Sequence, residues 1–126
     1  MPLYKYNDNL IPMNILQLLS SLDSDISIRA VAAHSKVLKD NNWNSYVFAP
    51  LGRELSYFKR WGAKIVSKRS SPSDIVYSKA TINEICDVVS SNYITILHVY
   101  DIAGYRAALQ VQKICSIKII MSLLKK

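Results

Sequence analysis

Two polar segments hold the residues whose types and spacing could do chemistry. In one of them, His98 ends an apolar run and is followed by Tyr100 and Asp101. An imidazole beside a carboxylate is the pattern of a general base with its orienting group. The alternative is a structural role, because a lone histidine is more often structural. We give that structural role to His34, which lies among alanines and a serine.

The other polar segment is the stretch from residue 20 to residue 25, which begins with Ser20 and Ser21. At the start of a predicted helix it lies beside backbone amides that bind anions with the help of the helix dipole. Arg29 follows one turn into that helix. Asp23 and Asp25 would repel a phosphate, so helix capping and turn chemistry are an equally good interpretation.

Several familiar catalytic patterns are missing from the sequence. With only three glycines, neither a dinucleotide-binding GxGxxG nor a P-loop can be written. No nucleophile elbow, HExxH or clustered ligand set occurs, so we expect no metal and no cofactor. Cys86 and Cys115 stand alone without a CxxC pair, and we interpret both as reduced and buried.

The chain is basic and rich in apolar residues. Its 126 residues, half of them apolar, fit one domain with a real core, and 16 Lys and Arg against 9 Asp and Glu give a net charge of +7. Such a charge favours anionic partners, namely nucleotide phosphates, lipid head groups or nucleic acid. The basic residues are scattered rather than gathered in a compact run, so nucleic acid is the least favoured of the three.

Neither an export signal nor a membrane span is evident in the sequence. The N-terminus lacks a basic region followed by an apolar stretch and a cleavage site. The most apolar stretches, 94–99 and 117–124, are far shorter than the roughly 20 residues of a spanning helix. We expect a cytoplasmic protein that contacts the inner face of a membrane at most peripherally.

The apolar pattern after residue 12 alternates between short buried runs and helical stripes. Residues 1–12 are predicted to be an N-terminal extension, and 13–126 a single Rossmann-like domain. The predicted strands are 13–19, 45–49, 63–67, 95–99 and 117–123, and the predicted helices are 26–41, 54–61, 74–91 and 102–115. Asp25 or Ser27 is expected to cap the first helix, and Ser73 the third. This alternation predicts an α/β fold with a doubly wound parallel sheet and helices on both faces.

The order of the strands decides where a ligand would bind. If the order is 3-2-1-4-5, the reversal point lies between the first and fourth strands, and ligands bind outside the carboxyl ends of strands at such a point. The loops 20–27 and 98–104 would face it. The topology therefore brings the two polar segments together.

The same segments, in the same order, resemble a known family of enzymes. They are similar to the N-terminal domain of retaining, family-four glycosyltransferases of the GT-B type. The resemblance covers the first strand, the first helix, the second strand, the step to the third strand, the fourth strand with its helix, and the fifth strand. The matching residues are 13–21, 28–39, 44–50, 58–66, 96–108 and 117–122.

The resemblance implies an acceptor-binding domain that works opposite a second domain, which binds the nucleotide-sugar donor, usually without a metal. His98 occupies the first histidine of the family's His-x-His, and Tyr100 stands where the second, nearer the transferred sugar, would be. The glycine pair of the family's first loop would fall near Asp25 and Ile26. The sequence ends before any donor-binding half, so we expect the isolated chain to be inactive.

Two hypotheses follow from the sequence. The first is a glycosyltransferase-like acceptor-binding domain that is completed by a separate donor-binding domain. Its partners would be a nucleotide-sugar donor and a glycan or lipid-linked acceptor. Its site would use His98 as the catalytic residue and, for acceptor and phosphate contacts, Ser20, Ser21, Asp25, Arg29, Tyr100 and Asp101. The second is a non-enzymatic α/β interaction protein, or a remnant of such an enzyme, whose basic surface docks to a membrane or a partner.

Overall fold

The computed structural model describes residues 13–67 and 71–123, and the main chain of 4–6 and 9–11. β1 (Tyr4–Tyr6) and β2 (Asn9–Ile11) pair antiparallel. This hairpin lies in the segment predicted to be an extension, whose sequence has no apolar period to indicate strands. The domain boundary at residue 12 stays a prediction.

The centre of the fold is a five-stranded parallel sheet. Its strands in spatial order are β5 (Ala63–Ile65), β4 (Asn44–Phe48), β3 (Asn14–Leu18), β6 (Ile96–Val99) and β7 (Lys118–Met121). Counted along the sheet this is the order 3-2-1-4-5, so the predicted Rossmann-like fold is confirmed. The reversal lies between β3 and β6, where Gln17 is paired with His98 in the register of the two strands.

Four helices cover the two faces of the sheet. They are α1 (Asp25–Asp40), α2 (Glu54–Arg60), α3 (Lys79–Ser91) and α4 (Ile102–Gln112). Side chains alternate along a strand, so Leu16 and Leu18 pack in one core with α3 and α4, whereas Val47 packs in the other with α1 and α2. β3 is the central strand of the sheet, and it is buried from Ile15 to Leu18.

The predicted start of the third helix is wrong. α3 begins at Lys79 rather than at residue 74, because Ser78 is its N-cap and accepts from the Thr81 amide at 3.3 Å. The Ser73 hydroxyl instead lies 3.1 Å from that of Ser71. Ile75 is held in an extended segment, where its amide donates to the Ser20 carbonyl at 2.9 Å. Two residues that we assigned to the helix, Ile75 and Tyr77, therefore reach the core from a loop.

Two smaller corrections concern helix ends. α1 is capped by Ser24, which accepts from the Ser27 amide, and not by Asp25 or Ser27 itself. α4 ends at Gln112, three residues before the predicted end, and its last turn is followed by Cys115, which is only partly buried. Cys86 is buried as predicted, and the structure holds both cysteines as free thiols.

The corrected start of α3 gives a direct test. Removing an N-cap hydroxyl costs about 1 kcal/mol, because an amide of the first turn loses its acceptor. We expect Ser78→Ala to lower the free energy of unfolding by that amount in urea denaturation. The matched change Ser73→Ala should stay within about 0.5 kcal/mol of the wild type. If Ser73→Ala destabilised the protein more than Ser78→Ala, the third helix would begin near residue 74, as the sequence predicted.

The described residues contain neither a candidate membrane span nor a candidate metal centre. None of the helices in that part of the chain has the length and apolar character needed to cross a bilayer. Across the same ranges, His, Cys, Asp and Glu side chains form no group of three or more that could hold a metal ion.

Candidate functional site

The carboxyl ends of β3 and β6 are joined by a polar contact, which we call the edge cluster (Ser20, Tyr77, Asp101 and Gly104). Ser20 follows β3 and donates its hydroxyl to Asp101 Oδ1 at 2.9 Å. Tyr77 Oη lies at 2.5 Å from Ser20 Oγ, and because the serine proton is used, the tyrosine donates to the serine. The structure thus brings together Ser20 and Asp101, as the topology predicted.

Asp101 has a structural task in this cluster. It is the N-cap of α4, and its Oδ1 accepts from the Gly104 amide at 2.6 Å. A Cβ at position 104 would lie 3.0 Å from that oxygen and 3.6 Å from Ser20 Oγ. Glycine therefore allows the first turn of α4 to approach the end of β3 closely.

His98 and Tyr100 belong to a second group, which we call the imidazole cluster (Gln17, His34, His98, Tyr100 and Ser122). Both side chains point to the α1 face of the sheet. The His34 and His98 rings stack with centroids 5.0 Å apart, and the His98 and Tyr100 rings with centroids 4.5 Å apart. His98 Nε2 lies 2.8 Å from Ser122 Oγ.

The hydrogen-bond pattern fixes the proton positions around Tyr100. Gln17 is fully buried, and its Nε2 donates to the hydroxyls of Ser35 and Ser45, both at 2.9 Å. Its Oε1 therefore faces Tyr100, whose hydroxyl donates to it. Since that proton is used, His34 must donate from Nδ1 to Tyr100 Oη, at 2.7 Å. A neutral His34 then carries its lone pair on Nε2.

Burial keeps both imidazoles uncharged. It lowers the pKa of His98 to about 4, with a smaller contribution from the charge of His34. Burial also lowers the pKa of His34 and raises the pKa of the Tyr100 phenol. A general base works best with a pKa near the operating pH. His98 is therefore deprotonated at neutral pH but is a weak base.

These shifts predict how stability depends on pH. Each imidazole has a higher pKa in the unfolded chain, about 6.5, so the unfolded state takes up more protons as the pH falls from there to about 4. Stability is full above this window and is lost on going down through it. For His98 we expect about 1–2 kcal/mol after discounting for partial exposure.

The measurement is urea denaturation at pH 7 and pH 4.5 for the wild type and for the double variant His34→Gln, His98→Gln. Carboxylates contribute to both proteins, so the difference between them isolates the imidazoles. We expect the variant to lose about 1–2 kcal/mol less stability than the wild type. Equal losses would mean that the imidazoles titrate alike in the folded and unfolded chain.

Asp101 does not orient His98. The histidine leans to the α1 face and bonds Ser122, whereas the aspartate lies beyond the strand and bonds Ser20 and the start of α4. Alternation along a strand puts residues 98 and 100 on one face and leaves residue 101 to begin the helix. The sequence interpretation of a base next to its carboxylate therefore has no matching contact.

The other predicted site residues lie at the start of α1. Ser21 accepts from the Asp23 amide at 3.1 Å and so closes a turn. Asp25 stands in the first turn of α1, and both it and Arg29 are exposed. Ser21, Asp25 and Arg29 form a polar surface that follows directly after Ser20 in the chain.

Sequence reasoning missed Gln17, Tyr77 and Ser122, and it treated His34 only as a structural side chain. Gln17 carried a signal, because it is a polar residue between apolar neighbours in a buried strand. Such a residue needs buried hydrogen-bond partners. Tyr77 and Ser122 carried no signal, since each acts on a residue more than twenty positions away.

Among the described residues, three cavities lie away from the edge cluster. One of about 260 Å³ is lined by His34, His98 and apolar side chains between α1 and β7. Another, of about 650 Å³, lies at the amino ends of β3, β6 and β7, and a third of about 420 Å³ lies between β5 and α3. Of the seven predicted site residues, only His98 lines one of these cavities.

Comparison with known proteins supports the fold. A glycosyltransferase from Rickettsia africae matches with a TM-score of 0.73 at 16% identity, over 94% of this chain and 30% of that one. A universal stress protein from Archaeoglobus fulgidus matches with a TM-score of 0.53 at 16% identity, over 88% of this chain and 93% of that one. The chain thus spans less than a third of the glycosyltransferase. Neither a family model nor a curated protein sequence matches the chain.

Proposed function

We propose that this chain is a glycosyltransferase-like substrate-binding domain, related to the N-terminal half of a GT-B enzyme of the retaining, family-four type. It binds an acceptor glycan or a lipid-linked acceptor at the carboxyl edge of its sheet. Sugar transfer from a nucleotide-sugar then requires a separate donor-binding domain. The observation that carries the proposal is the Ser20 to Asp101 contact at the reversal point between β3 and β6.

Several features around this contact favour a polar ligand. Ser21, Asp25 and Arg29 extend from Ser20 along the start of α1, and the last two are exposed. Their hydroxyl, carboxylate and guanidinium groups offer the donors and acceptors that sugar hydroxyls require. Arg29 also offers a paired contact to a phosphate. The net charge of +7 favours phosphate-bearing substrates over neutral glycans.

The imidazole cluster supports a positioning role for His98 and Tyr100. Tyr100 uses its hydroxyl proton on Gln17 and receives one from His34, so its hydroxyl is occupied inside the protein. His98 is neutral at physiological pH and is fixed by Ser122. In this proposal His98 and Tyr100 hold the end of β6 against α1 and so position the edge cluster, and neither abstracts a proton. We place the protein in the cytoplasm, with peripheral contact to an anionic membrane when the acceptor is lipid-linked.

A thermal-shift screen tests the proposal. The panel contains nucleotide-sugars and soluble acceptor oligosaccharides, because a ligand that binds the native state raises its apparent stability. At ten times its Kd, a ligand contributes about 1.4 kcal/mol, which is about 5 °C for a domain of this size. We expect Ser21→Ala and Arg29→Ala to reduce that shift without changing the fold, since both act at the surface.

Lys113→Ala is the matched control. It also removes an exposed polar group, but at the end of α4, on the side of the sheet where the amino ends of the strands lie. The control should respond to the ligand as the wild type does. A response that all three variants keep would place binding elsewhere, and no response from any ligand would contradict the proposal.

A non-enzymatic α/β binding protein is the second candidate, and two observations favour it. The polar side chains at and below the carboxyl edge are largely bonded to one another, as in the contacts of Ser20, Asp101 and Tyr100. The likeness to the universal stress protein runs along nearly the whole of that chain. The absence of any ligand-induced thermal shift in the screen, together with salt-sensitive binding to anionic vesicles, would favour this candidate.

A further inference from the structure

Two cysteines far apart in the sequence meet in the fold. Cys86 lies on the inner side of α3, in the core shared with α4. Cys115 lies just after α4 and packs against that core. Burial and the neighbouring Cys115 raise the pKa of the Cys86 thiol, so the two side chains lie near each other. The two cysteines stand alone in the sequence, and the fold brings them to the same core.

The two thiols differ in access. Cys86 is buried, whereas Cys115 is partly exposed and lines the cavity of about 650 Å³ at the amino edge of the sheet. Lys113 and Lys118 line the same cavity. An anionic reagent that enters the cavity would therefore find a thiol and two positive charges, with a second thiol in the core against which the first one packs.

We propose that Cys115 is a thiolation site for anionic low-molecular-weight disulfides, of which oxidised glutathione is the test case, and that Cys86 resolves the adduct to an internal disulfide. The modification ties α3 to the segment between α4 and β7. It makes the amino edge of the sheet a redox-responsive site. This inference does not depend on the function proposed above.

The two steps balance as thiol–disulfide exchange. The Cys115 thiolate attacks one sulfur of oxidised glutathione, forms a mixed disulfide and expels one glutathione thiolate, which takes up the proton that Cys115 lost. Cys86 then loses its proton and attacks the Cys115 sulfur, and the second glutathione leaves and takes up that proton. The two protein thiols are oxidised by two electrons, and one oxidised glutathione becomes two reduced ones.

The order of the steps follows from the surroundings of each thiol. Burial, followed by the neighbouring Cys115, raises the pKa of Cys86 to about 11, so this thiol is almost wholly protonated at neutral pH. Only a thiolate attacks a disulfide. Cys86 reacts slowly with an outside reagent, but within the mixed disulfide its target sulfur is held on the neighbouring Cys115, and proximity compensates for its low thiolate fraction.

Intact-mass spectrometry of the native chain with oxidised glutathione tests the proposal. We expect the wild type to lose two hydrogens and to carry no stable adduct. Cys86→Ser should stop at one glutathione on Cys115. Cys115→Ser should react at least about tenfold more slowly than Cys86→Ser, because its remaining thiol is buried and protonated. Lys113→Gln with Lys118→Gln should slow the first step by about threefold, since the reagent is an anion.

The wild type alone can overturn the proposal. A stable glutathione adduct on the native chain, or unreacted thiols under conditions that modify free cysteine, would contradict it. So would equal rates for Cys86 and Cys115 when peptide mapping follows each thiol in the wild type. Cys86→Ala serves as a second variant if serine in the core prevents folding, and the thermal midpoint of each variant confirms that it is folded.

Discussion

Replacing Gln17 with leucine is expected to lower the free energy of unfolding by about 3–4 kcal/mol, although leucine is the more apolar residue. Gln17 is fully buried and bonds Ser35, Ser45 and Tyr100. Leucine fills a similar volume but leaves these buried hydroxyl groups without their partner. Each such group costs about 1–3 kcal/mol, and part of the loss is recovered because Ser35 and Ser45 also bond each other.

Urea denaturation at pH 7 measures this effect, and Gln110→Leu is the matched control. This variant has the same chemical change at an exposed position of α4. Surface substitutions there are expected to alter the free energy of unfolding by no more than about 0.5 kcal/mol. Gln17→Glu adds a comparison, because a buried carboxylate cannot donate to the two serines. A neutral or stabilising Gln17→Leu would mean that the imidazole cluster does not hold the sheet to α1 as described.

Asp101→Ala is the second large effect, with an expected loss of about 2–3 kcal/mol. The change removes the N-cap of α4, which accepts from the Gly104 amide, and it also removes the acceptor of the buried Ser20 hydroxyl. A lost cap accounts for about 1 kcal/mol, and the loss of an acceptor for the pair of Ser20 and Tyr77 hydroxyls accounts for the remainder. The free energy of unfolding from urea denaturation gives the value directly.

Asp101→Asn separates geometry from charge. Asparagine keeps the Oδ1 acceptor and is an equally good N-cap, so we expect a loss of under about 1 kcal/mol. Asp74→Ala is the control for removing a carboxylate from an exposed loop and should have little effect. If Asp101→Asn were as damaging as Asp101→Ala, the role of the carboxylate would be electrostatic, and the hydrogen-bond account of the edge cluster would fail.

The parts of the fold that sequence reasoning found are those encoded by local periodicity. β3, β4 and β6 are short apolar runs, and α1 has a regular apolar stripe, so their positions came within one or two residues of the structure. The strand order 3-2-1-4-5 was assumed for the predicted doubly wound sheet, and the structure has that order. The second helix, predicted over 54–61, ends at Arg60 and is followed two residues later by Gly62 with a positive φ of 101°.

The errors arose where a tertiary contact competes with a local signal. Ser73 and Ser78 can both cap a helix, and only the pairing of Ile75 with the Ser20 carbonyl shows which one does. That pairing joins segments more than fifty residues apart, and no local window of the sequence contains both. The same separation hid Tyr77 from the predicted site, although it bonds Ser20.

The candidate site was predicted as one cleft, and the structure divides it into two. Topology alone brings Ser20 and Asp101 to the same edge, which the sequence could predict from strand order. The split arises because His98 and Tyr100 point to the face that α1 covers, where His34 and Gln17 meet them. The face of the sheet to which a side chain points depends on how its strand pairs with the neighbouring strands. That pairing was not known from the sequence alone.

The most direct test of the central claim is amide NMR of the wild-type chain during titration with acceptor oligosaccharides and nucleotide-sugars. The account predicts that the shifted amides gather in 20–29 and 100–104, at the carboxyl ends of β3 and β6, and that Arg29→Ala weakens the binding. Shifts confined to the amino edge around Lys113, or unchanged spectra at millimolar ligand, would contradict the claim that this edge of the sheet binds a sugar substrate.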